Sequence, residues 1–243
     1  SSKVDIICPN HGVFSQMVYD HLAGHGCPIC GNLKSNNENE IYVFICGLLG
    51  ENNVIKGDRT VLNGKEIDIY IPSLKIGIEY NGIYWHSDKF INNKNYHLDK
   101  LTECNSKGIK LIQIFEDEWV YKREIVLSKI KHILGYDSTI GKIYGRKCNI
   151  REINKEEAEL FLENNHIQGF AKSTVYLGCF YSSKLVGVMS FLREKEDKWN
   201  LTRFATDINY ICCGVGGKLF NWFIKYYNPK EIKTFADRRW TVD

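Results

Sequence analysis

Two pairs of metal-binding residue types open the chain: Cys8-Pro9-Asn10-His11 and, after fifteen intervening residues, Cys27-Pro28-Ile29-Cys30. Thiolate and imidazole are soft ligands. Two short pairs, each in a tight turn containing Pro or Gly, bring four of them to the corners of one tetrahedron. The spacing fixes the three cysteines. His11 is the nearest fourth ligand, with His21 and His25 as alternatives. Four protein ligands leave no open position, so a zinc ion here is expected to be structural. A module this short buries too little apolar surface to fold without one. Its expected use is to hold nucleic acid or to brace the domain that follows.

A second constellation is acidic. Asp68 and Glu79 stand eleven residues apart, each preceded by isoleucine, in Lys65-Glu66-Ile67-Asp68-Ile69-Tyr70-Ile71 and Leu74-Lys75-Ile76-Gly77-Ile78-Glu79-Tyr80-Asn81-Gly82. Both runs read as strands joined by a Pro72-Ser73 turn, and on such a hairpin the two acids face one another across the ladder. Paired carboxylates among isoleucines are costly unless a cation lies between them, and a divalent ion with hard oxygen ligands is the natural candidate. Solvated acids on an outer face are the plain alternative. His86 and His97 follow within Tyr84-Trp85-His86 and Tyr96-His97-Leu98-Asp99-Lys100, where a neutral imidazole can take or give a proton.

The elements that must position these residues follow from periodicity. Ser35-Asn36-Asn37-Glu38 reads as a helix-capping run ahead of Ile41, Phe44, Ile45, Leu48 and Leu49, which places Glu40 in the first turn of a helix. After a Gly/Asp-rich connection come the two strands, a helix from about His97 to Ser106, a buried strand over 109–115 and a helix over about 122–134. That order predicts an α/β core with a mixed sheet. In the last third, Asn154-Lys155-Glu156-Glu157 opens a helix. Strands are expected over 173–181, 184–191 and 199–205, then the turn Gly214-Val215-Gly216-Gly217, a helix over 218–227 and a strand over 232–236.

Asp68, Glu79-Tyr80-Asn81 and the helical Glu40 together resemble the PD-(D/E)xK nuclease superfamily. The stretch Ile78–Gly82 with Trp85-His86 and Tyr96-His97 is most similar to its histidine-bearing branch, the very-short-patch-repair and phage homing endonucleases of the E-D-x-H-D type. The superfamily's lysine after the second acid is absent, and Asn81 stands in its place. The base is therefore open among His86, His97 and Lys100. The resemblance spans about residues 36–134. It implies a restriction-endonuclease-like core, Mg²⁺ held by Asp68 and Glu79, a metal-bound water oriented by Glu40, and DNA as substrate. It further implies a phage-encoded homing or mobility enzyme working in the host cytoplasm. The last third resembles an N-acetyltransferase-like (GNAT) α+β module, in which backbone N–H groups at such a glycine turn hold a pyrophosphate. Phage nucleases similar to this chain carry a comparable segment ending like Ala236-Asp237-Arg238-Arg239-Trp240, which favours DNA contact over acetyl transfer. Arg203, Lys218, Arg238 and Arg239 are the expected phosphate contacts.

Composition narrows the classes. The 243 residues are 44% apolar and 25% charged with net charge +3, ordinary for a globular chain. No apolar run approaches the ~18–20 residues of a membrane span, and no secretory signal stands at the start, so no membrane partner is expected. Nine cysteines, an odd number and mostly scattered through apolar runs, fit a reducing compartment better than a disulfide framework. Charge is uneven. Residues 1–39 hold two basic against three acidic side chains, residues 40–136 thirteen of each, and residues 137–243 seventeen against thirteen. The expected domains are a zinc module over 1–34, a nuclease domain over 35–136 and a basic module over 137–243. The chain ends at Asp243 just after a strand, without the helix and strand that would complete a GNAT-like fold, so it is expected to be a fragment or a short member of a longer family. Two other functions fit: a DNA-binding or inhibitory protein with a decayed nuclease core, or an acetyltransferase with accessory domains.

Overall fold

A computed structural model describes residues 2–9, 11–22, 25–82, 96–136, 141–237 and 239–240, with the backbone alone at 32–35 and 96–98. The fold is mixed α/β with several sheets. It divides into two compact units, Ser1–Tyr121 and Lys122–Asp243.

The first unit begins with an antiparallel hairpin, β1 (Lys3–Cys8) and β2 (Gly12–Met17), in which Cys8 pairs with Gly12 across the turn. Ile7 and Val13 on this hairpin are 75% and 67% exposed, so apolar burial contributes little to holding it. A short α1 (Val18–Leu22) follows, then α2 (Pro28–Leu49). Helix α2 starts seven residues before the expected capping run. Cys27 is its N-cap residue and Pro28 occupies the first turn, where a missing N–H costs nothing. The Ser35–Glu38 run is carried inside the helix, which Ile41 and Ile45, both fully buried, anchor.

A four-stranded sheet forms the core of this unit, in the order β3 (Ile55–Leu62), β4 (Lys65–Ile71), β5 (Ile76–Asn81), β6 (Lys110–Phe115). The first three strands run antiparallel and β6 runs parallel to β5. Strand β3 is the segment read from sequence as a connection. Its Gly57-Asp58-Arg59 looks like a turn, yet Ile55, Lys56 and Asp58 pair with β4, and the Asp58 carboxylate accepts the N–H groups of Thr60 and Val61 at 3.0 Å each where the register shifts. Every residue of β5 is buried, as expected of a strand paired on both edges and covered on both faces. The parallel pair needs a crossover, which contains α3 (Tyr96–Ser106). Cys104 on α3 packs into a cluster with Leu62, Ile67, Tyr70, Ile109 and Leu111. Helix α4 (Glu116–Tyr121) ends the unit.

The second unit opens with α5 (Arg123–Ile133), then β7 (Gly141–Tyr144), β8 (Asn149–Glu152) and α6 (Lys155–Asn165). Asn154 caps α6, its side-chain oxygen accepting the Glu157 N–H at 2.8 Å. Next come β9 (Val175–Tyr181), β10 (Lys184–Arg193), β11 (Lys198–Thr206), β12 (Tyr210–Cys213), α7 (Val215–Tyr227) and β13 (Glu231–Thr234). The main sheet runs β13-β11-β10-β9-β8, and β12 pairs with β7 separately and in parallel. Phe191 and Phe223 stack at 3.6 Å in its core. Gly214, at φ +73°, turns the chain into α7. Among the described residues no helix is long and apolar enough to cross a membrane.

Candidate functional site

The β1–β2 turn and the first turn of α2 bring Cys8, His11, Cys27 and Cys30 together, with their ligand atoms all within 4.8 Å of one another. His11 Nδ1 lies 3.6, 3.8 and 3.2 Å from the sulfurs of Cys8, Cys27 and Cys30, and Cys8 and Cys30 are 3.7 Å apart. These are the separations of atoms arranged ~2.0–2.3 Å around a common centre, so the set can hold a metal such as zinc. Burial pushes the Cys30 thiol up to about 12, and Cys8 and Cys27 add to the shift. A divalent cation reverses that logic by favouring thiolates. Of the three candidate histidines the structure selects His11. His25 instead lies 4.0 Å from Asp20, and His21 stands outside the cluster.

The second site lies where β4 and β5 part. The ladder pairs Ile71 with Ile76, Tyr70 with Gly77 and Ile69 with Ile78. One step further Asp68 stands opposite Glu79, and there side chains replace the ladder. The Asp68 N–H donates to Glu79 Oε1 at 3.2 Å, and the Tyr80 N–H donates to Asp68 Oδ2 at 2.8 Å. Each acid is therefore held by backbone of the other's strand. Both are buried, at 8% and 7% exposure. Lys100, from α3, donates to Glu79 Oε2 at 2.5 Å and is itself buried. Burial, then the Asp68 charge, raises the Glu79 carboxyl to about 7 despite Lys100, which acts the other way. A carboxyl that still binds a proton near neutrality beside a second acid is a site with unmet demand for positive charge.

Asn81, at the end of β5, is 9% exposed, and its Nδ2 has no hydrogen-bond partner among the described residues. Gln113 on β6 pairs in register with Glu79 and is 5% exposed. Sequence reasoning passed it over, although a polar residue inside Leu111-Ile112-Gln113-Ile114 is the same signal that marked the acids. Glu40 is exposed in the middle of α2 rather than in its first turn. Its neighbour on the helix, Asn37, donates to the Tyr80 hydroxyl at 2.8 Å. The Tyr80 phenol is raised to about 12 by burial first, with Glu116, Glu40 and Asp117 adding to it. His86 lies outside the described residues, as does the side chain of His97, whose backbone belongs to α3.

The cations expected to bind phosphate are engaged within the second unit. Arg203 donates to the carbonyls of Gly169 at 3.0 Å and Thr202 at 2.8 Å. Lys218 donates to the carbonyls of Gly145, at 2.9 Å, and Cys148. Arg239 forms a two-point pair with Asp237, at 3.0 and 2.5 Å. Arg238 lies outside the described residues. Gly145 also packs against the glycine turn: a Cβ there would meet the Gly214 carbonyl oxygen at 2.7 Å and the Val215 nitrogen at 3.1 Å.

A family described as a protein of unknown function (DUF723) matches residues 1–31, the segment that carries the Cys/His cluster. No curated protein matches the chain. Among solved structures, a GNAT-family acetyltransferase of Streptococcus pneumoniae is similar at 15% identity over 37% of this chain and 74% of that one, with a TM-score of 0.31. At that score the likeness carries no argument about fold or activity.

Proposed function

We propose that the first unit is a restriction-endonuclease-like phosphodiesterase acting on DNA, with Asp68 and Glu79 holding a divalent cation. The observation that carries the reading is the buried group Asp68, Glu79 and Lys100, in which one lysine leaves Glu79 still raised to about 7. The carboxylate oxygens from neighbouring strands fit a hard cation, and the orphaned Asn81 amide nitrogen at the strand end is a hydrogen-bond donor beside them. When bound, Mg²⁺ supplies polarisation of the scissile phosphate and a more acidic water. Lys100 fixes the Glu79 carboxylate and brings the positive charge that the missing lysine at position 81 would have carried. The Asn81 N–H groups are free to donate to a phosphate oxygen. The resemblance of residues 36–134 supports nucleic acid as substrate.

Supercoiled plasmid incubated with and without Mg²⁺ tests this. Cleavage should require the ion, and Asp68→Ala and Lys100→Met should each lose at least about a hundredfold, the scale of a lost proton-transfer or charge-stabilising group. Equal cleavage by Asp68→Ala and the native chain would overturn the assignment. The 2.5 Å contact between Lys100 and Glu79 favours one other reading, since it satisfies part of the site without any ion. A binding protein with a decayed nuclease core would shift DNA in a gel and leave it uncut whichever divalent cation is added. Acetyl transfer is the weaker reading for the second unit, because Gly145 covers the start of α7 and Lys218 is tied to two carbonyls there.

A further inference from the structure

The basic excess of the second unit is concentrated. Of the seventeen basic and thirteen acidic side chains in 137–243, the segments 141–151 and 208–230 hold seven and none. The fold joins these two segments. Strands β7 and β12 pair in parallel, with Lys142 opposite Ile211 and Tyr144 opposite Cys213, and Gly145 packs against Gly214.

Within 141–148 the side chains sort by direction. Ile143 and Cys148 are buried in the hydrophobic cluster that contains Val215, Leu219 and Phe223 of α7. Lys142 and Tyr144, on the other face of β7, are exposed, as are Arg146 and Lys147 in the turn after it. The Arg146 guanidinium lies 5.3 Å from the Tyr144 ring centre, a contact that orders the arginine without neutralising it. Lys142, Arg146 and Lys147 have no side-chain hydrogen bond or ion pair among the described residues. The other cations of the two segments are engaged or distant. Arg151 is paired with Glu157 at 3.1 Å, and Lys218 is tied to the carbonyls of Gly145 and Cys148. Lys225 and Lys230 lie towards the far end of α7, whose 13 residues span ~20 Å. The acids that flank the segments are occupied too. Asp207, ahead of β12, is paired with Lys184 at 2.8 Å, and Glu152 accepts the Tyr227 hydroxyl at 2.6 Å.

We infer that Lys142, Arg146 and Lys147 form a contact surface for the phosphodiester backbone of nucleic acid. Three uncompensated cations on one short segment are what a polyanion selects. The β7–β12 ladder and the buried Ile143 and Cys148 already fix the backbone that carries them, so binding orders little beyond the side chains. Along 141–147 the only exposed large apolar side chain is that of Tyr144, which gives a membrane no apolar anchor. Such a contact positions the strand and reads no base, and duplex and single strand present the same backbone chemistry. The inference stands on the second unit alone and does not need the first to cleave DNA.

Fluorescence anisotropy of the full chain, without Mg²⁺ and without chelator, tests it. The probes are two labelled duplexes of unrelated sequence and one of their single strands, titrated across about 50–200 mM KCl. Replacing all three side chains (Lys142→Ala, Arg146→Ala, Lys147→Ala) should weaken both duplexes equally, at least about tenfold at the low-salt end. The slope of log affinity against log salt should fall by about 1 per side chain. Lys142→Arg, Arg146→Lys and Lys147→Arg together should keep affinity and slope. Lys155→Ala, Lys172→Ala and Lys195→Ala together remove the same charge from exposed positions elsewhere on the unit and should leave the slope unchanged. A larger loss on the single strand than on the duplexes assigns the surface to unpaired strands, and an equal or smaller loss assigns it to duplex. Unchanged thermal unfolding of the variants separates a lost contact from a lost fold. An equal loss in the two alanine triples, or no loss in the first, overturns the inference. So does binding of the native chain to phosphatidylserine vesicles but not to DNA. Because no cleavage is read, this result is independent of the plasmid assay.

Discussion

Glu79→Gln should make the protein more stable at pH 8 while abolishing cleavage. The folded Glu79 carboxyl holds its proton up to about pH 7, against 4.5 for the same group in the open. Between those values the folded chain binds more protons than the unfolded one. Its stability is therefore fully present below about pH 4.5 and falls as pH rises through 7. The displacement of about two and a half units corresponds to about 3 kcal/mol. Glutamine mimics the protonated acid and cannot lose the proton, so the variant should match the native chain below about pH 4.5, lead it by about 1 kcal/mol at pH 5 and exceed it by about 3 kcal/mol at pH 8. For a domain of this size that is about 6–12 °C in Tm. The assay is urea and thermal unfolding at pH 5, 6, 7 and 8 in buffer without Mg²⁺ and without chelator, so that the Cys8–Cys30 cluster keeps any ion it holds. His166, displaced downward to about 4 chiefly by burial, tilts stability the opposite way, upward as pH rises towards 6.5. It is present in both proteins and cancels in their difference. A difference between native and variant chains that stays constant from pH 5 to pH 8 would refute the account of the acid pair.

Three further outcomes follow from the geometry. The purified chain should carry one tightly bound zinc per molecule, and Cys30→Ser should lose it together with hydrogen-exchange protection over 2–22, since the hairpin has little core of its own; retained protection without the metal would show that the cluster is not what holds the hairpin. Lys218→Ala should cost about 1–3 kcal/mol by leaving two carbonyls without their donor, and DNA affinity with its salt dependence should stay unchanged; a reduced salt slope would instead restore Lys218 as a phosphate contact. Gly145→Ala drives a Cβ into the Gly214 carbonyl at 2.7 Å, backbone against backbone with no side chain to yield, and should cost about 1–3 kcal/mol in a urea titration.

The sequence made both units legible wherever pattern and burial coincide. Strand β4 runs from Lys65 to Ile71 as the alternation indicates, and α3, β6, α5 and α6 lie within a residue or two of their expected ends. Strand β3 was hidden because Gly57-Asp58-Arg59 has turn chemistry that pairing with β4 overrides. Strands β7, β8 and β12 are four residues each, too short to show a period, and β7 with β12 joins segments far apart in the chain. The start of α2 differs from the expected capping run because a metal-ligand turn and a helix N-terminus are the same residues, Cys27 to Cys30. The acids could be read because charge inside an isoleucine run has no cheap explanation. Lys100 could be read only as one of three candidates for a base, since helical spacing does not say which strand a lysine reaches.

Residue type and net charge mislead in opposite directions in the two units. Residues 137–243 carry the basic excess, yet Arg203, Lys218 and Arg239 spend their donors on carbonyls and on Asp237. Counting charge there overstates what is available to a phosphate. Residues 40–136 are neutral in sum, yet Asp68 and Glu79 are buried side by side, with Lys100 paired to Glu79. What a charged side chain can do for a ligand depends on what its neighbours have already done for it. Glu79 is informative because Lys100 at 2.5 Å is not enough to bring its carboxyl back into the ordinary range. Arg239 is uninformative because Asp237 is enough. On the proposed reading, the raised carboxyl of Glu79 marks the place where a cation would stabilise the fold and act on a substrate, at the parting of β4 and β5.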